Sequence, residues 1–178
     1  MKAIRLIAVF LFLLSPTLLL HPAEVSLSTT ASVFFSPKGG CTQAIVDTIE
    51  QAKIEILVQA YSFTSQPVAE ALVNAYKRNI KVEIMLDKSQ LTAKSSMLNY
   101  VASAGIPTYI DSKHAIAHNK IMIIDRKTVI TGSFNFTKSA EQNNAENLII
   151  IPGQGLAKEY ITNFNNHKQH STKYKITE

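Results

Sequence analysis

Three polar clusters, set among apolar residues, carry the reactive side chains of this sequence. His118-Asn119-Lys120 is followed, after Ile-Met-Ile-Ile, by Asp125, and then by Gly132-Ser133-Phe134-Asn135. The pattern is H-x-K-x4-D-x6-G-S-x-N. On a strand, the period of two sets His118 and Lys120 on one face, and it does the same for Ser133 and Asn135 on a partner strand. A neutral imidazole can attack phosphorus, an ammonium can hold a phosphoryl oxygen, and a hydroxyl and an amide can bind the rest of the group. This is equipment for phosphate chemistry. Asp125 has the opposite parity from His118, so it is expected to fix a turn or the basic residues and not to touch substrate. Glu146, in Asn144-Ala145-Glu146-Asn147, is the better orienting carboxylate: it could accept the Nδ1 proton of His118 and leave Nε2 free to attack.

The elements that must position these residues read as an alternation. Val33 to Phe35 is a strand, broken by Ser36, Pro37, Gly39 and Gly40 before Ile45, Ile49 and Ala52 recur at helical spacing. Ile54 to Ala60 is a near-continuous apolar strand, Pro67 opens a helix to about Arg78, and Val82 to Leu86 is another buried strand. A helix from about Ala93 ends near Gly105, and Pro107 to Ile110 is strand. Ala117 to Ile124 and Thr128 to Ser133 form a hairpin about Asp125-Arg126-Lys127; Leu148 to Ile151 is a last strand and Leu156 to Asn166 a last helix. The expected fold is α/β, a mixed central β-sheet flanked by helices on both faces.

The chain has 178 residues, 17% charged and 46% apolar, which fits one globular domain and neither a disordered chain nor a polytopic membrane protein. Its one cysteine, Cys41, cannot form an intrachain disulfide and reads as a small apolar residue. Lys2 and Arg5 precede the apolar run Leu6 to Leu14, then Ser15, Pro16 and a second patch to Leu20. Residues 1–23 are read as a secretory signal peptide, with retention as an anchor the alternative, and residues 24–178 as one domain. Cleavage would remove Lys2 and Arg5 and no acid, leaving the formal charge of +5 two units lower. A mildly basic protein permits an anionic partner without demanding one.

With these residues in view, the sequence resembles the phospholipase D superfamily: its HKD motif matches His118, Lys120 and Asp125, and Gly132, Ser133, Asn135 and Glu146 agree with the residues downstream. The similarity is greatest to the small secreted bacterial Nuc-type endonucleases and covers the mature chain. Larger members carry two HKD motifs, whereas here His167 and His170 have no Lys two residues later and His114 is followed by Ile116. The family's chemistry uses two histidines, so the resemblance implies a homodimer that places both copies of His118 on one phosphate. It further implies a metal-independent, cofactor-free phosphodiesterase, periplasmic or secreted, that cleaves DNA or RNA through a phosphohistidine with little sequence preference. No stable membrane association is expected unless the leader is retained. The alternatives are a lipid phosphodiesterase opening phosphatidyl head groups or cardiolipin, and a non-catalytic binding protein on the same fold.

Other features have plainer readings. His114 and His118 could pair on a helix about a metal, but β-branched Ile121, Ile123 and Ile124 follow and no third ligand has suitable spacing. Asn135-Phe136-Thr137 is an N-x-T sequon of the kind that arises by chance. Tyr61 and Phe63 could stack on bases or pack at a strand end. Lys88 could bind phosphate or sit in a turn, and Lys168, Lys173 and Lys175 form a basic tail.

Overall fold

The computed structural model describes residues 25–27 and 30–176, so the leader read at residues 1–23 lies outside the described residues. In chain order the elements are β1 (Ser32–Ser36), α1 (Cys41–Glu50), β2 (Glu55–Ala60), α2 (Gln66–Lys77) and β3 (Lys81–Asp87), followed by a 3-10 turn, Lys88–Leu91. Then come α3 (Leu98–Ser103), β4 (Thr108–Asp111), β5 (Lys120–Ile124), β6 (Thr128–Gly132), α4 (Lys138–Gln142), β7 (Glu146–Pro152), α5 (Gln154–His170) and β8 (Thr172–Lys173). The strands make one sheet in the order β1-β7-β6-β5-β2-β3-β4-β8. Pairs β2–β3 and β3–β4 are parallel and the others antiparallel, which is the mixed sheet expected.

The apolar runs of the central strands are divided between two faces by the pleat. Ile56, Val58, Ile84, Met122 and Ile124 pack against Ile45, Ile49, Leu72 and Val101 of the helices on one side. Leu57, Met85, Ile121, Ile123 and Val129 meet Ala157 and Phe164 of α5 on the other. Each fully buried Ile or Leu here contributes about 1.5–3 kcal/mol relative to exposure. Cys41 is buried and unpaired at the start of α1, where burial pushes its thiol up. The N-terminus of that helix has no capping side chain of its own. Instead the Glu141 carboxylate of α4 accepts from Gly40 N (3.1 Å) and Thr42 N (2.7 Å), joining two elements a hundred residues apart.

Three expectations are corrected. The helix placed from Ala93 begins only at Leu98. Met97 N donates to the Phe63 carbonyl and Leu98 N to Ser96 Oγ, so the preceding residues are committed to other partners. The strand placed from Ala117 starts at Lys120, because its neighbour β2 ends at Ala60, opposite Lys120, and Ala117 N donates to Asp87 Oδ2 at 2.7 Å. The strand placed to Ser133 stops at Gly132, where Ser133 N and Phe134 N both donate to the Asn147 carbonyl. Gly132 takes φ 147°, and a Cβ there would lie 2.3 Å from that same carbonyl oxygen, so the close approach requires glycine.

Candidate active site

His118 and Lys120 stand at one end of β5, with His118 in the segment leading into it. His118 is exposed, and its ring lies 4.6 Å from that of Tyr61, centroid to centroid. The Lys120 ammonium is 5.2 Å from the centre of the same Tyr61 ring and donates to the His118 carbonyl at 2.9 Å. Tyr61 therefore backs both residues, while Phe63 is fully buried in the core. Lys120 is only 7% exposed; burial lowers its pKa, and the charge of Glu146 acts in the opposite direction. A buried, poorly hydrated ammonium is well suited to binding an anion.

The β5–β6 register matches Met122 with Ile130, and continuing it by two residues brings Gly132 across from Lys120. Ser133 and Asn135 leave β6 from that point. They are not on a strand, yet the alternation survives: Phe134 and Phe136 are buried, and Ser133 and Asn135 face the other way. Ser133 Oγ accepts from Asn147 N at 3.1 Å. The Asn135 backbone is held by Thr137 N, 2.7 Å from its carbonyl, and Thr137 Oγ1 caps α4 by accepting from Ala140 N. The sequon threonine is thus a helix cap. The Asn135 side chain is not spent on the fold: its Oδ1 is buried with no hydrogen bond among the described residues.

Glu146 opens β7. Its carboxylate accepts from Asn144 Nδ2 at 3.2 Å, and its influence on the site is its charge beside Lys120; among the described residues no hydrogen bond joins it to His118. Asp125 is at the far end of β5, about 17 Å of extended chain from the site. It occupies the hairpin turn with φ 53°, and its carboxylate accepts from Lys53 N, Ile54 N and Glu55 N at 2.7–3.2 Å.

A groove of about 470 Å³ opens beside His118 and Lys120, bounded by Thr131 and Gly132 of β6 and by Glu159, Tyr160 and Asn163 of α5. The α5 residues escaped the sequence reading, because nothing in their spacing links position 160 to position 118. A second cluster was also missed. Asp111, fully buried at the end of β4, has three imidazoles about its Oδ2: His114 Nδ1 at 3.0 Å, His167 Nδ1 at 2.8 Å and His170 Nε2 at 3.4 Å. Burial alone would raise the Asp111 pKa, but these hydrogen bonds outweigh it and hold it at about 2. His114 therefore turns toward α5 and not toward His118. Lys88 and Lys168 also have structural partners: the first donates to the His114 carbonyl, and the second pairs with Glu83 against the Tyr109 ring.

An exposed imidazole and a buried ammonium at the edge of an open groove, with an uncommitted amide three residues past the strand that borders it, on a mixed sheet covered by helices on both faces, are the equipment of a phosphodiesterase. The chain matches the family described as "Cardiolipin synthase, PLD-like domain" over residues 45–168 and belongs to the phospholipase D superfamily. It is similar to the protein named "Phospholipase D" in Rickettsia felis, 46% identical over 142 residues, covering 80% of this chain and 71% of that one. The "Mitochondrial cardiolipin hydrolase" of Xenopus laevis is 31% identical over 114 residues, 64% of this chain and 53% of that one. Among solved structures, Nuc from Salmonella typhimurium, a phospholipase D family member, superposes with TM-score 0.79 at 37% identity, covering 83% of this chain and 99% of that one. NucT from Helicobacter pylori shares the fold, with TM-score 0.76 at 24% identity and coverage of 82% and 99%.

Proposed function

We propose that this protein is a metal-independent endonuclease of low sequence preference, acting as a homodimer in the periplasm or outside the cell after residues 1–23 are removed. The observation that carries the reading is the single, exposed His118 at the rim of an open groove. One chain offers one imidazole, while in-line displacement at a phosphodiester needs an attacker and a leaving-group acid. A two-fold axis beside the groove supplies both from identical residues. Nε2 of one His118 attacks phosphorus and forms a P–N bond as the P–O bond breaks, and the departing oxygen takes a proton from the second His118. That second imidazole, now neutral, removes a proton from water, and the water oxygen displaces the first His118 from phosphorus. Lys120 and Asn135 hold the non-bridging oxygens and supply the charge stabilisation that other nucleases draw from metal ions. Ser133, bonded to Asn147, supports that network, and the charge of Glu146 favours the ammonium form of Lys120 against the effect of burial. No helix among the described residues is long and apolar enough to cross a membrane.

The second reading, a lipid phosphodiesterase, is favoured by the names of the Rickettsia and Xenopus relatives. One experiment separates them: the purified protein and its His118→Asn variant, in excess chelator, with plasmid DNA, RNA and cardiolipin vesicles in parallel. Cleavage of nucleic acid and not of cardiolipin by the wild type alone is expected. Cardiolipin hydrolysis with intact nucleic acid would overturn the nuclease assignment, and activity that requires Mg²⁺ and is not restored by Zn²⁺ would overturn the mechanism.

A further inference from the structure

We infer that Asp111, His114, His167 and His170 form a structural metal site, with Zn²⁺ the ion its donor set suits. Four potential ligand atoms, three imidazole nitrogens and one carboxylate oxygen, lie within 4.8 Å of one another. All three rings turn to Asp111 Oδ2, and His114 Nδ1 also lies 3.2 Å from Oδ1, so one buried carboxylate gathers three imidazoles. Four ligands around one ion would gather the same groups. With metal–nitrogen distances of about 2.0–2.1 Å and tetrahedral angles, imidazole centroids fall about 5 Å apart and adjacent ligand atoms about 3.3 Å apart. The three centroid separations here are 4.8, 5.2 and 5.3 Å. The bonds from Oδ2 to the three nitrogens bracket the second distance.

The surroundings also fit a coordination sphere. Asp111 Oδ1 accepts from Lys113 N at 3.1 Å, which fixes the carboxylate and leaves Oδ2 turned toward the rings. His167 and His170 share one face of α5 at i, i+3. The side chains of His167 and His170 are 17% and 23% exposed, shielded but open to an entering ion. An N3O set of borderline donors suits Zn²⁺, while Mg²⁺ and Ca²⁺ prefer oxygen ligands. Four protein ligands leave no position for substrate, so the role is structural. The ion would clip the segment between β4 and β5, which carries His118, onto α5, whose residues Glu159, Tyr160 and Asn163 also line the groove. The inference does not depend on which phosphodiester is cleaved.

The test uses the untagged protein, with Co²⁺ as a spectroscopic probe and Zn²⁺ as the stabilising ion. One equivalent of Zn²⁺ per chain should survive dialysis, Co²⁺ should give the intense visible bands of a tetrahedral site, and Zn²⁺ should raise the melting temperature of the stripped protein by several degrees. His167→Gln and His170→Gln should lose the Co²⁺ bands, and His118→Asn should keep them. Should a glutamine variant fail to fold, the wild-type spectrum and the Zn²⁺-dependent shift remain decisive. Weak octahedral Co²⁺ bands in the wild type, no shift with Zn²⁺, bands that survive in folded His167→Gln, or bands lost with His118→Asn would each overturn the site.

Discussion

Replacing Asp125 separates a structural from a chemical role for the third residue of the H-x-K-x4-D motif. Its carboxylate collects three backbone N–H groups from the turn between α1 and β2, and it sits at the end of β5 remote from His118. Lys53 and Ile54 are exposed, so water can replace the lost acceptor at little cost, whereas Glu55 is 3% exposed and its N–H cannot rehydrate. Losing one charge-assisted bond from a buried donor costs about 1.5–3 kcal/mol and the two hydrated ones about 0.5 kcal/mol each. Asp125 also holds φ 53°, which Asp and Asn tolerate and Ala does not, adding about 1 kcal/mol to Asp125→Ala. The expected loss is therefore about 4 kcal/mol for Asp125→Ala, roughly a 10 °C fall in melting temperature for a chain of this size. Asp125→Asn, which keeps a carbonyl acceptor and the backbone preference, should lose about half as much. Urea unfolding gives the stabilities; turnover on a phosphodiester substrate, measured well below both melting temperatures, should stay within a few-fold of wild type. An Asp125→Asn protein with unchanged stability and turnover reduced by orders of magnitude would refute this reasoning.

Mixing wild-type and His118→Asn subunits should yield heterodimers that are severely impaired, so activity should fall faster than the wild-type fraction; a linear fall would show that each chain carries a complete site. The shared site also predicts a bell-shaped pH–rate profile, since turnover needs one protonated and one neutral imidazole; a rate that only rises with pH would count against it. Affinity for DNA should fall linearly on a log–log plot against salt, as phosphate contacts release counterions; indifference to ionic strength in a filter-binding titration would favour an apolar ligand. Burial alone would raise the Glu83 pKa, but its bonds to Lys168 and Lys81 hold it below the ordinary 4.5. Its stabilising effect is thus complete above that value and lost as pH falls through the lowered one. Glu83→Gln should cost about 1 kcal/mol near neutrality, with the deficit closing below pH 4.5 in urea titrations.

What the sequence could convey depended on how local the physics was. The α/β alternation was legible because β2, β3 and β5 are buried on both faces and read as near-continuous apolar runs. The parity that pairs His118 with Lys120 and Ser133 with Asn135 was legible, even though His118 precedes its strand and Ser133 and Asn135 follow theirs; burial of Phe134 and Phe136 preserves the alternation that a strand would have imposed. Strand ends were not legible, since Lys120 marks the start of β5 only because β2 stops at Ala60. Short β8 and α4 offer too few residues for any period to show. A carboxylate can serve either a histidine or a lysine at one site, so the sequence alone does not say which Glu146 faces; within the chain its charge acts on Lys120. The Asp111 cluster is the extreme case. Its members span positions 111 to 170, and each of its histidines, taken alone, is an ordinary polar residue of a loop or a helix end.

The position of β1 affects how the chain can fold as it is made. Among the described residues the first strand pairs only with β7, Ser32 opposite Ile150 and Ser36 opposite Glu146, at the far edge of the sheet from β4 and β8. The intervening chain must already exist before this pairing can close, and closing so long a loop carries an entropic cost repaid only when the contact is complete. While residues 37 to 145 emerge, β1 therefore has no hydrogen-bonding partner. A nascent chain halted before Glu146 leaves its N-terminal strand unpaired, with Val33 and Phe35 side chains that are exposed even in the finished fold.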